Sequence, residues 1–591
     1  MQRRARRRRV RRKGVGVRRV AGRQRVGHGV DDGGWGAEDG DGGASCFDLE
    51  AGAQRKCSNH GAADAPGLRV PVPRHVFLLR RLRRHGAPQA KPKTLTTTAH
   101  CPYPNPFLGN TVEFVRNRRR FFDRYADLLR AAPSSTIEAW GPFGAGHAVT
   151  TASPADVDHL LRGNFGNYAK GALFRDATAE LIGDGLFAAD GRLWSLQRKV
   201  ASYAFSSRSL RRFADGVLAA HLHRRLLPFL DAAAAVEGGE AVDLQDALRR
   251  LGFDAICHVA FGVDGSSLVW GADDGKQHKA LFAAFDAALE ISFRRALTPA
   301  TWVRRLTKLL DVGNSRRLRE AVAVIDAYAM SVVESKEEAR QRNGLDEDGD
   351  PDLLSRFMSA MDDAEGGNEL ATMFPTPAAK RRFLRDVVVS FVLAGKDTTS
   401  SALTWFFWLL AANPRCERRV HEEVSSSGAG GDVRGMRYLH AALNEAMRLY
   451  PPVPFNGRVA AADDLLPGGA AVRAGWHANY SAYAMGRMVK LWGEDCMEFV
   501  PERWLGAGGE AVPVDAARYP VFHAGPRVCL GKEMAYVQMK TVAAAVLRKF
   551  RVDVVAPAAS MMMPPAYEMT ATMKMKGGLW VQLARREESA E

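Results

Sequence analysis

A segment near the C-terminus places one cysteine between two glycines and directly ahead of a predicted helix. Residues 522–533 read Phe-His-Ala-Gly-Pro-Arg-Val-Cys-Leu-Gly-Lys-Glu, and the apolar spacing after them predicts a helix over 532–547. Gly525 and Gly531 allow tight turns on either side of Cys529. The free amides and dipole at the start of a helix favour a thiolate, although a lone cysteine is more often a buried small hydrophobe. Cys529 is therefore the first candidate for chemistry.

A second segment, 385–410, is apolar at both ends but polar at its centre, which reads Ala394-Gly395-Lys396-Asp397-Thr398-Thr399. A membrane span needs about 20 predominantly apolar residues, and this polar group at its middle would cost several kcal/mol. The segment is therefore predicted to be a buried helix of a soluble fold. Glycine, an acid and two threonines contradict intrinsic preference at the middle of a core helix, which indicates a function. A helix distorted by hydroxyls that bond to its own backbone is the alternative.

Two further pairs have spacings that could place charged and aromatic groups together. Glu445 and Arg448 are three residues apart and share one helix face, and Pro451 follows almost at once to end that helix. Trp194 and Arg198 lie one helical turn apart. In isolation, the first pair would be read as solvated surface charges and the second as a core tryptophan beside a surface arginine.

The elements that must position these residues are mostly helical. Helical periodicity is clear over 114–129, 217–227, 318–340 and 380–412, and Gly- and acid-rich breaks at 262–276, 344–351 and 425–432 predict surface loops. Strand signals are short and cluster toward the C-terminal end of the sequence. Within 566–581, the stretches 573–576 and 579–581 flank Gly577-Gly578 and predict a hairpin. The expected fold is mainly α with small β-sheets.

The charge of the chain is concentrated at its N-terminus. The 591 residues have a formal net charge of +17, but residues 1–100 contain 23 Lys and Arg against 8 Asp and Glu. We predict a disordered basic tail over 1–98 and one folded domain over 99–591, because the tail has little apolar surface to bury. A nuclear or RNA-binding arm, a transit peptide, a lipid anchor or a solvated run are open interpretations of the tail. The best apolar run, 76–79, is bracketed by arginines, so no signal peptide or anchor helix is visible.

The seven cysteines are scattered and odd in number, without a Cys-x-x-Cys pair. This pattern argues against a disulfide framework and a structural zinc site, and it favours a reducing compartment.

Every position of the pattern Phe-x-x-Gly-x-Arg-x-Cys-x-Gly is present in 522–531, and this pattern resembles the haem-thiolate loop of cytochrome P-450 enzymes. The resemblance covers the chain from about residue 101 to the C-terminus. It implies the P-450 fold, with haem b between the long central helix and the helix after the cysteine, and with Cys529 as the axial iron ligand. The residues implied to bind the haem or shape its loop are Trp194, Arg198, Phe522, Gly525, Arg527 and Gly531.

Other motifs occur in the order expected of this family. The 394–399 stretch resembles its oxygen-activation site, in which Gly395 would leave room for dioxygen while Asp397 and Thr398 would deliver protons. Glu445 and Arg448, together with Arg503 of the stretch Pro-Glu-Arg-Trp, resemble the family's structural triad. The triad would hold the haem-side core and take no part in the chemistry.

Longer stretches narrow the resemblance to one branch. Residues 190–199, 483–488 and 529–540 look like plant fatty-acid ω-hydroxylases, and 454–458 and 495–499 are most similar to the branch that oxidises fatty acids and jasmonoyl-isoleucine. The resemblance implies monooxygenation of a lipid-like substrate with dioxygen, and electrons from NADPH through a separate cytochrome P-450 reductase. The residues expected to face substrate are Phe391, Ala394, Val453 and Phe455.

Several alternatives and lesser expectations accompany this interpretation. A haem-thiolate isomerase or lyase of the allene-oxide-synthase type is one rival, although the intact acid-threonine pair and cysteine loop disfavour it. A non-catalytic basic nucleic-acid-binding protein is the other. Arg458 is a candidate to pair with a substrate carboxylate, with an exposed arginine or a haem-propionate contact as alternatives. The resemblance implies a monomer at the endoplasmic reticulum membrane, without a nucleic-acid partner.

Overall fold

The computed structural model describes residues 99–586, apart from 103, 145, 237–238, 269–273, 298–305, 344–350, 364–367, 429–431 and 556–563. The predicted basic tail lies outside these residues. Helices predominate, and a run of helical segments extends over 207–235. The longer helices besides that run are Phe121–Ala131, Gly171–Ile182, Gly191–Ser202, Leu244–Phe261, Asp274–Leu297, Asn314–Asn343, Leu353–Asp362, Pro377–Ala412, Pro414–Ser426, Arg437–Leu449 and Lys532–Lys549. The short ones are Thr111–Arg116, Pro154–Asp158, Glu369–Met373, Ala482–Met485 and Val489–Trp492.

The strands form three small sheets. The strands are β1 (Ala99–His100), β2 (Thr136–Ala139), β3 (Ala148–Thr151), β4 (Tyr168–Ala169), β5 (Val242–Asp243), β6 (Asn456–Ala460), β7 (Asp464–Leu465), β8 (Ala471–Val472), β9 (His477–Tyr480), β10 (Phe550–Val554) and β11 (Trp580–Arg585). One mixed sheet has the order β1-β2-β3-β9-β6-β4, a second has β10-β11-β5, and β7 pairs with β8. The prediction of a mainly α fold with small sheets is confirmed.

The helix Pro377–Ala412, called the central helix below, runs through the hydrophobic core. It is capped by Thr376, whose side chain accepts a hydrogen bond from the amide of Ala379, and it begins with a proline at its first turn. Its residues from Phe383 to Leu410 are almost all buried, and they contribute to both large core clusters. The predicted helix over 380–412 is therefore present, with its polar centre inside the protein.

The helix Leu244–Phe261, called the crossing helix below, packs closely on the central helix. A Cβ on Gly252 would lie 3.0 Å from the carbonyl oxygen of Gly395, and a Cβ on Gly395 would lie 2.6 Å from the Cβ of Ile256. The two glycines thus let the helix backbones approach each other at the point where the polar segment lies.

Two predicted elements differ from the structure. The predicted helix over 114–129 is interrupted at Asn117, whose side-chain amide donates to the carbonyl oxygen of Glu113 at 2.9 Å and so competes with the helix. The predicted hairpin of 573–576 with 579–581 is wrong. Residues from Trp580 pair instead with β10 and β5, because β10 offers a longer ladder than the neighbouring segment does. Met575 forms an isolated bridge with Tyr567.

Candidate active site

Two short 3-10 turns, Pro520–Phe522 and Gly525–Arg527, shape the loop that presents Cys529. The amide of Cys529 donates to the carbonyl oxygen of Phe522 at 2.9 Å, and the amide of Val528 donates to the carbonyl oxygen of Gly525 at 3.0 Å. Gly525 has a φ of +65°, and a Cβ there would collide with the carbonyl oxygen of Leu161. Glycine is required here for both conformation and close backbone approach.

Cys529 borders a cavity between the central helix and the helix Lys532–Lys549, called the cysteine helix below. The central helix contributes Ala394, Gly395 and Thr398 to the cavity, and the cysteine helix contributes apolar side chains such as Met534. Burial raises the pKa of the Cys529 thiol, while the backbone amide of Gly531 and the charges of Arg198 and Lys532 lower it. Cys529 thus lines the same cavity as Gly395 and Thr398 from the polar centre of the central helix.

The hydroxyl of Thr398 donates to the carbonyl oxygen of Ala394, one turn earlier, at 2.6 Å. This local bond fixes the side chain at the cavity wall while leaving its oxygen able to accept a hydrogen bond. Gly395 also borders the cavity, but its missing side chain is required by the close contact with Ile256 of the crossing helix. Helix packing is therefore a sufficient reason for a glycine at this position.

Asp397 points away from the cavity and into a buried cluster of charges. Its Oδ1 contacts the Nζ of Lys396 and accepts a hydrogen bond from the Nε of Arg249 at 3.3 Å. Burial disfavours the ionised carboxylate, but the charges of Lys396 and Arg249 outweigh this effect and lower the pKa of Asp397. The acid predicted to work with Thr398 is thus held ionised in this cluster, whereas the Thr398 hydroxyl lies at the cavity wall.

Trp194, Arg198 and Arg527 lie close together at the cavity. The guanidinium of Arg527 lies 4.5 Å from the ring centre of Trp194, and that of Arg198 lies 5.9 Å from it. Arg527 donates to Asp190 Oδ1 at 2.8 Å, and Arg198 donates to the carbonyl oxygen of Val528 at 2.6 Å. Burial lowers the pKa of Arg527 to about 10, with Arg458 acting in the same direction.

Arg458 and Lys170 complete this cationic end of the cavity. Arg458 is only 1% exposed, and neither its Nε nor its Nη2 has a hydrogen-bond partner among the described residues. Burial of the Lys170 ammonium group, together with the charges of Arg458 and Arg527, lowers the pKa of Lys170. Unpaired buried guanidinium nitrogens are costly, so these side chains are arranged for an anionic group. Lys170 is absent from the sequence predictions because no local motif marks it.

The predicted triad forms a buried, fully hydrogen-bonded cluster. Arg448 donates through Nε to Glu445 Oε2 at 2.7 Å and through Nη2 to Oε1 at 2.8 Å, and Arg503 donates to Oε1 at 3.1 Å. Trp504 donates to Oε2 at 2.9 Å. The remaining nitrogen of Arg448 donates to the carbonyl oxygens of Cys496, at 2.6 Å, and Gly486. The cluster ties the helix Arg437–Leu449 to the segment that leads to the cysteine loop.

Comparisons with known proteins agree with this geometry. A sequence model of the family described as Cytochrome P450 matches residues 99–575. The chain belongs to the cytochrome P450 family. It is 41% identical to Cytochrome P450 94A2 of Vicia sativa and 40% identical to Cytochrome P450 94B1 of Arabidopsis thaliana, in each case over 84% of this chain and 93% of the relative. It is 37% identical to Cytochrome P450 86B1 of Arabidopsis thaliana, over 82% of this chain and 86% of that relative.

As a P450, the chain is a haem-thiolate monooxygenase, and the residues around the cavity fit haem b. One cysteine borders the cavity, and a thiolate is the iron ligand of P450 enzymes. The unpaired nitrogens of Arg458 suit a group that carries carboxylates, as haem does. Among the described residues there is no cluster of His, Cys, Asp and Glu that could hold a separate metal ion, and the five described cysteines are free.

The residues predicted to face substrate divide into two groups. Phe391, Ala394 and Val453 line the P450 cavity. Phe455 does not, because its ring packs on Tyr125 and Phe121 with centres 5.2 and 6.1 Å apart. Ile256 and Leu186, which the sequence analysis missed, also line the cavity. In the described part of the chain, no helix is long and apolar enough to cross a membrane.

Proposed function

We propose that this P450 hydroxylates the chain end of fatty acids or of a fatty-acid-derived conjugate such as jasmonoyl-isoleucine. The observation that carries the proposal is the division of the cavity lining into two parts. Cations lie at one end, around Arg458, whereas the walls near Thr398 are apolar, with Phe391, Ile256 and Val453 among them. An alkyl chain suits such walls, and the resemblance of the longer stretches to plant ω-hydroxylases points to the same substrate class.

The protein's part in the reaction begins with holding the cofactor. Cys529 would supply the thiolate ligand, and Arg458, Arg527, Arg198 and Trp194 would hold the carboxylates. When bound, haem supplies the iron at which dioxygen is activated. The glycine-shaped loop and the Glu445 cluster keep Cys529 at a fixed position against the central helix.

Thr398 and Asp397 would handle protons. The Thr398 hydroxyl donates to the carbonyl oxygen of Ala394, and its oxygen can accept a hydrogen bond from a proton donor in the cavity. This oxygen would therefore pass protons at the cavity wall. Asp397 lies one residue away in a charged cluster that reaches the partly exposed Asp286. The apolar walls exclude water from the reacting carbon and restrict its position, which a terminal methyl requires because it is less reactive than an internal methylene.

Electrons would come from NADPH through a separate cytochrome P450 reductase. The chain would work as a monomer at the endoplasmic reticulum membrane. The intact pair of Asp397 and Thr398 favours this oxygen-dependent reaction over a haem-thiolate isomerase, which needs neither dioxygen nor a reductase. The cavity bordered by Cys529 and Thr398 in the described residues likewise favours the oxygen-dependent reaction over a nucleic-acid-binding function.

The test is turnover of the full chain with NADPH, a cytochrome P450 reductase and a panel of medium- and long-chain fatty acids and jasmonoyl-isoleucine. We expect one added oxygen at the terminal carbon, located by mass spectrometry, and no product when the reductase is omitted. Reductase-independent consumption of a fatty-acid hydroperoxide would favour the isomerase. Turnover confined to substrates without a long alkyl chain would refute the proposed substrate class.

A further inference from the structure

Lys396 is a fully buried cation that the reaction described above does not use. Its side chain has no exposed area, and its Nζ lies 5.3 and 5.6 Å from the ring centres of Phe282 and Phe285. Taking an ammonium group out of water costs several kcal/mol unless a partner compensates for it. The compensating partner is Oδ1 of Asp397, the next residue in the central helix.

Arg249 of the crossing helix supports the same oxygen. It donates through Nε to Asp397 Oδ1 at 3.3 Å and through Nη2 to Asp286 Oδ1 at 2.6 Å. Lys574 donates to the other oxygen of Asp286 at 2.9 Å. Two cations therefore share Oδ1 of Asp397, and the cluster continues to Asp286, whose side chain is 30% exposed.

The two oxygens of Asp397 have different surroundings. Oδ2 is buried and has no hydrogen-bond partner among the residues that the structure describes, whereas Oδ1 contacts both Lys396 and Arg249. A buried carboxylate oxygen without a partner is costly, so its retention indicates a use. An ionised carboxylate held by one oxygen can take up and release a proton at the other.

We propose that Lys396 is a positioning residue for proton delivery, because with Arg249 it fixes Oδ1 of Asp397 and so leaves Oδ2 as the proton-carrying atom. The inference rests on the function proposed above, in which Asp397 and Thr398 deliver protons. Lys396 does not touch substrate or cofactor in this role; it acts through the orientation and charge of Asp397.

The arrangement has a pH-dependent consequence. Burial lowers the pKa of Lys396 to about 8, against the opposing charge of Asp397. The other charged groups that face the pair are Arg249 from the crossing helix, Asp286 from the helix Asp274–Leu297, and Lys574 from the segment before β11. Above about pH 8 the wild-type protein loses one of the two charges on Oδ1, so proton delivery should weaken there.

The experiment compares wild type, Lys396→Gln and Lys396→Arg in the full chain with NADPH and reductase between about pH 6.5 and 9. Peroxide released per NADPH is measured with a fatty acid and without it, and hydroxylated product is measured in the same samples. Lys380→Gln is the control, because Lys380 lies in the same helix but is partly exposed and bonds to Asp362. Carbon-monoxide difference spectra establish haem incorporation in each variant.

We expect Lys396→Gln to raise peroxide release roughly tenfold over wild type below about pH 8, and by less above it, where wild-type Lys396 also loses its charge. Lys396→Arg should behave as wild type at pH 7 and keep low peroxide release above pH 8, because a guanidinium stays protonated there. Equal pH profiles of peroxide release in wild type and Lys396→Arg would overturn the inference, even if Lys396→Gln fails to take up haem. Peroxide release without a fatty acid does not depend on which substrate the enzyme uses, so it tests the role of Lys396 alone. A wrong substrate assignment would instead appear as missing hydroxylated product in wild type.

Discussion

Arg448 and Glu445 form a bidentate ion pair in which neither side chain has any exposed area. Every nitrogen of the Arg448 guanidinium donates within this cluster, to Glu445 or to the carbonyl oxygens of Gly486, Cys496 and Glu498. A buried ion pair is stable only with such complete hydrogen bonding, so the cluster tolerates the loss of no member. It therefore serves as a structural joint between a helix and the chain that leads to Cys529.

The first prediction follows from this joint. Glu445→Gln removes the charge that pairs with two arginines and should lower the free energy of unfolding by about 3–5 kcal/mol. Glu320→Gln is the control, since Glu320 pairs with Arg316 on an exposed helix face. This change should lower the free energy of unfolding by less than about 1 kcal/mol. Denaturant unfolding of both variants measures the difference. Equal small effects would contradict a structural role for the cluster.

The second prediction concerns the iron ligand. Cys529→Ala should abolish the haem-thiolate absorption band of the carbon-monoxide complex, because no other described cysteine borders the cavity. Cys257→Ala should retain the band, since Cys257 is buried beside Tyr328. A retained band in Cys529→Ala would mean that another residue ligates the iron.

The third prediction uses the unpaired nitrogens of Arg458. Arg458→Met should stabilise the haem-free protein by about 1–3 kcal/mol, because an unsatisfied buried charge is removed. The same change should accelerate haem loss roughly tenfold or more, since charge-assisted hydrogen bonds to the haem carboxylates are lost. Unfolding of the apoprotein and transfer of haem to an acceptor protein measure the two effects. Arg473→Met, at an exposed position near the same sheet, should change neither.

The fourth prediction separates two threonines of the central helix. Thr398 and Thr404 each donate to a backbone carbonyl one turn earlier, at 2.6 and 2.7 Å, but only Thr398 borders the cavity. Thr398→Ala should lower the product formed per NADPH by roughly tenfold or more, with peroxide released instead. Thr404→Ala removes an equivalent helix bond and should leave this ratio unchanged. Unchanged coupling in Thr398→Ala would exclude a proton-passing hydroxyl.

The fifth prediction concerns Asp464, whose Oδ2 accepts hydrogen bonds from Tyr168 at 2.7 Å and Asn164 at 3.0 Å and contacts His159 at 2.8 Å. Burial opposes ionisation, but these bonds outweigh it and lower the pKa of Asp464 to about 2. The contribution of the ionised Asp464 to the stability of the fold is therefore fully present above its ordinary pKa near 3.8, and it is lost as the pH falls through about 2.

Asp464→Asn should accordingly lower the free energy of unfolding by a constant amount between neutral pH and about pH 4, and by less at lower pH. Acid unfolding of the variant and of wild type tests this dependence. Asp463→Asn is the control, because Asp463 accepts a single bond from the amide of Ala474. If the difference in free energy of unfolding between wild type and Asp464→Asn grew as the pH fell, it would contradict the lowered pKa of Asp464.

Local sequence determined much of this P450. The glycine positions around Cys529, the proline that begins the central helix and the three-residue spacing of Glu445 and Arg448 act over one or two turns, so they are readable without knowledge of distant contacts. The same reasoning failed for the hairpin near Gly577, because the strand Trp580–Arg585 pairs with segments far away in the chain.

Tertiary structure alone decided which cations meet at the cavity and where Asp397 points. Lys170 and Arg458 come together because β4 pairs antiparallel with β6, in the register that places Ala169 opposite Val459. Asp397 is turned toward Lys396 and Arg249 because the crossing helix packs against the central helix through Gly252 and Gly395. Such placements depend on contacts between residues more than a hundred positions apart, which the local sequence around each residue does not specify.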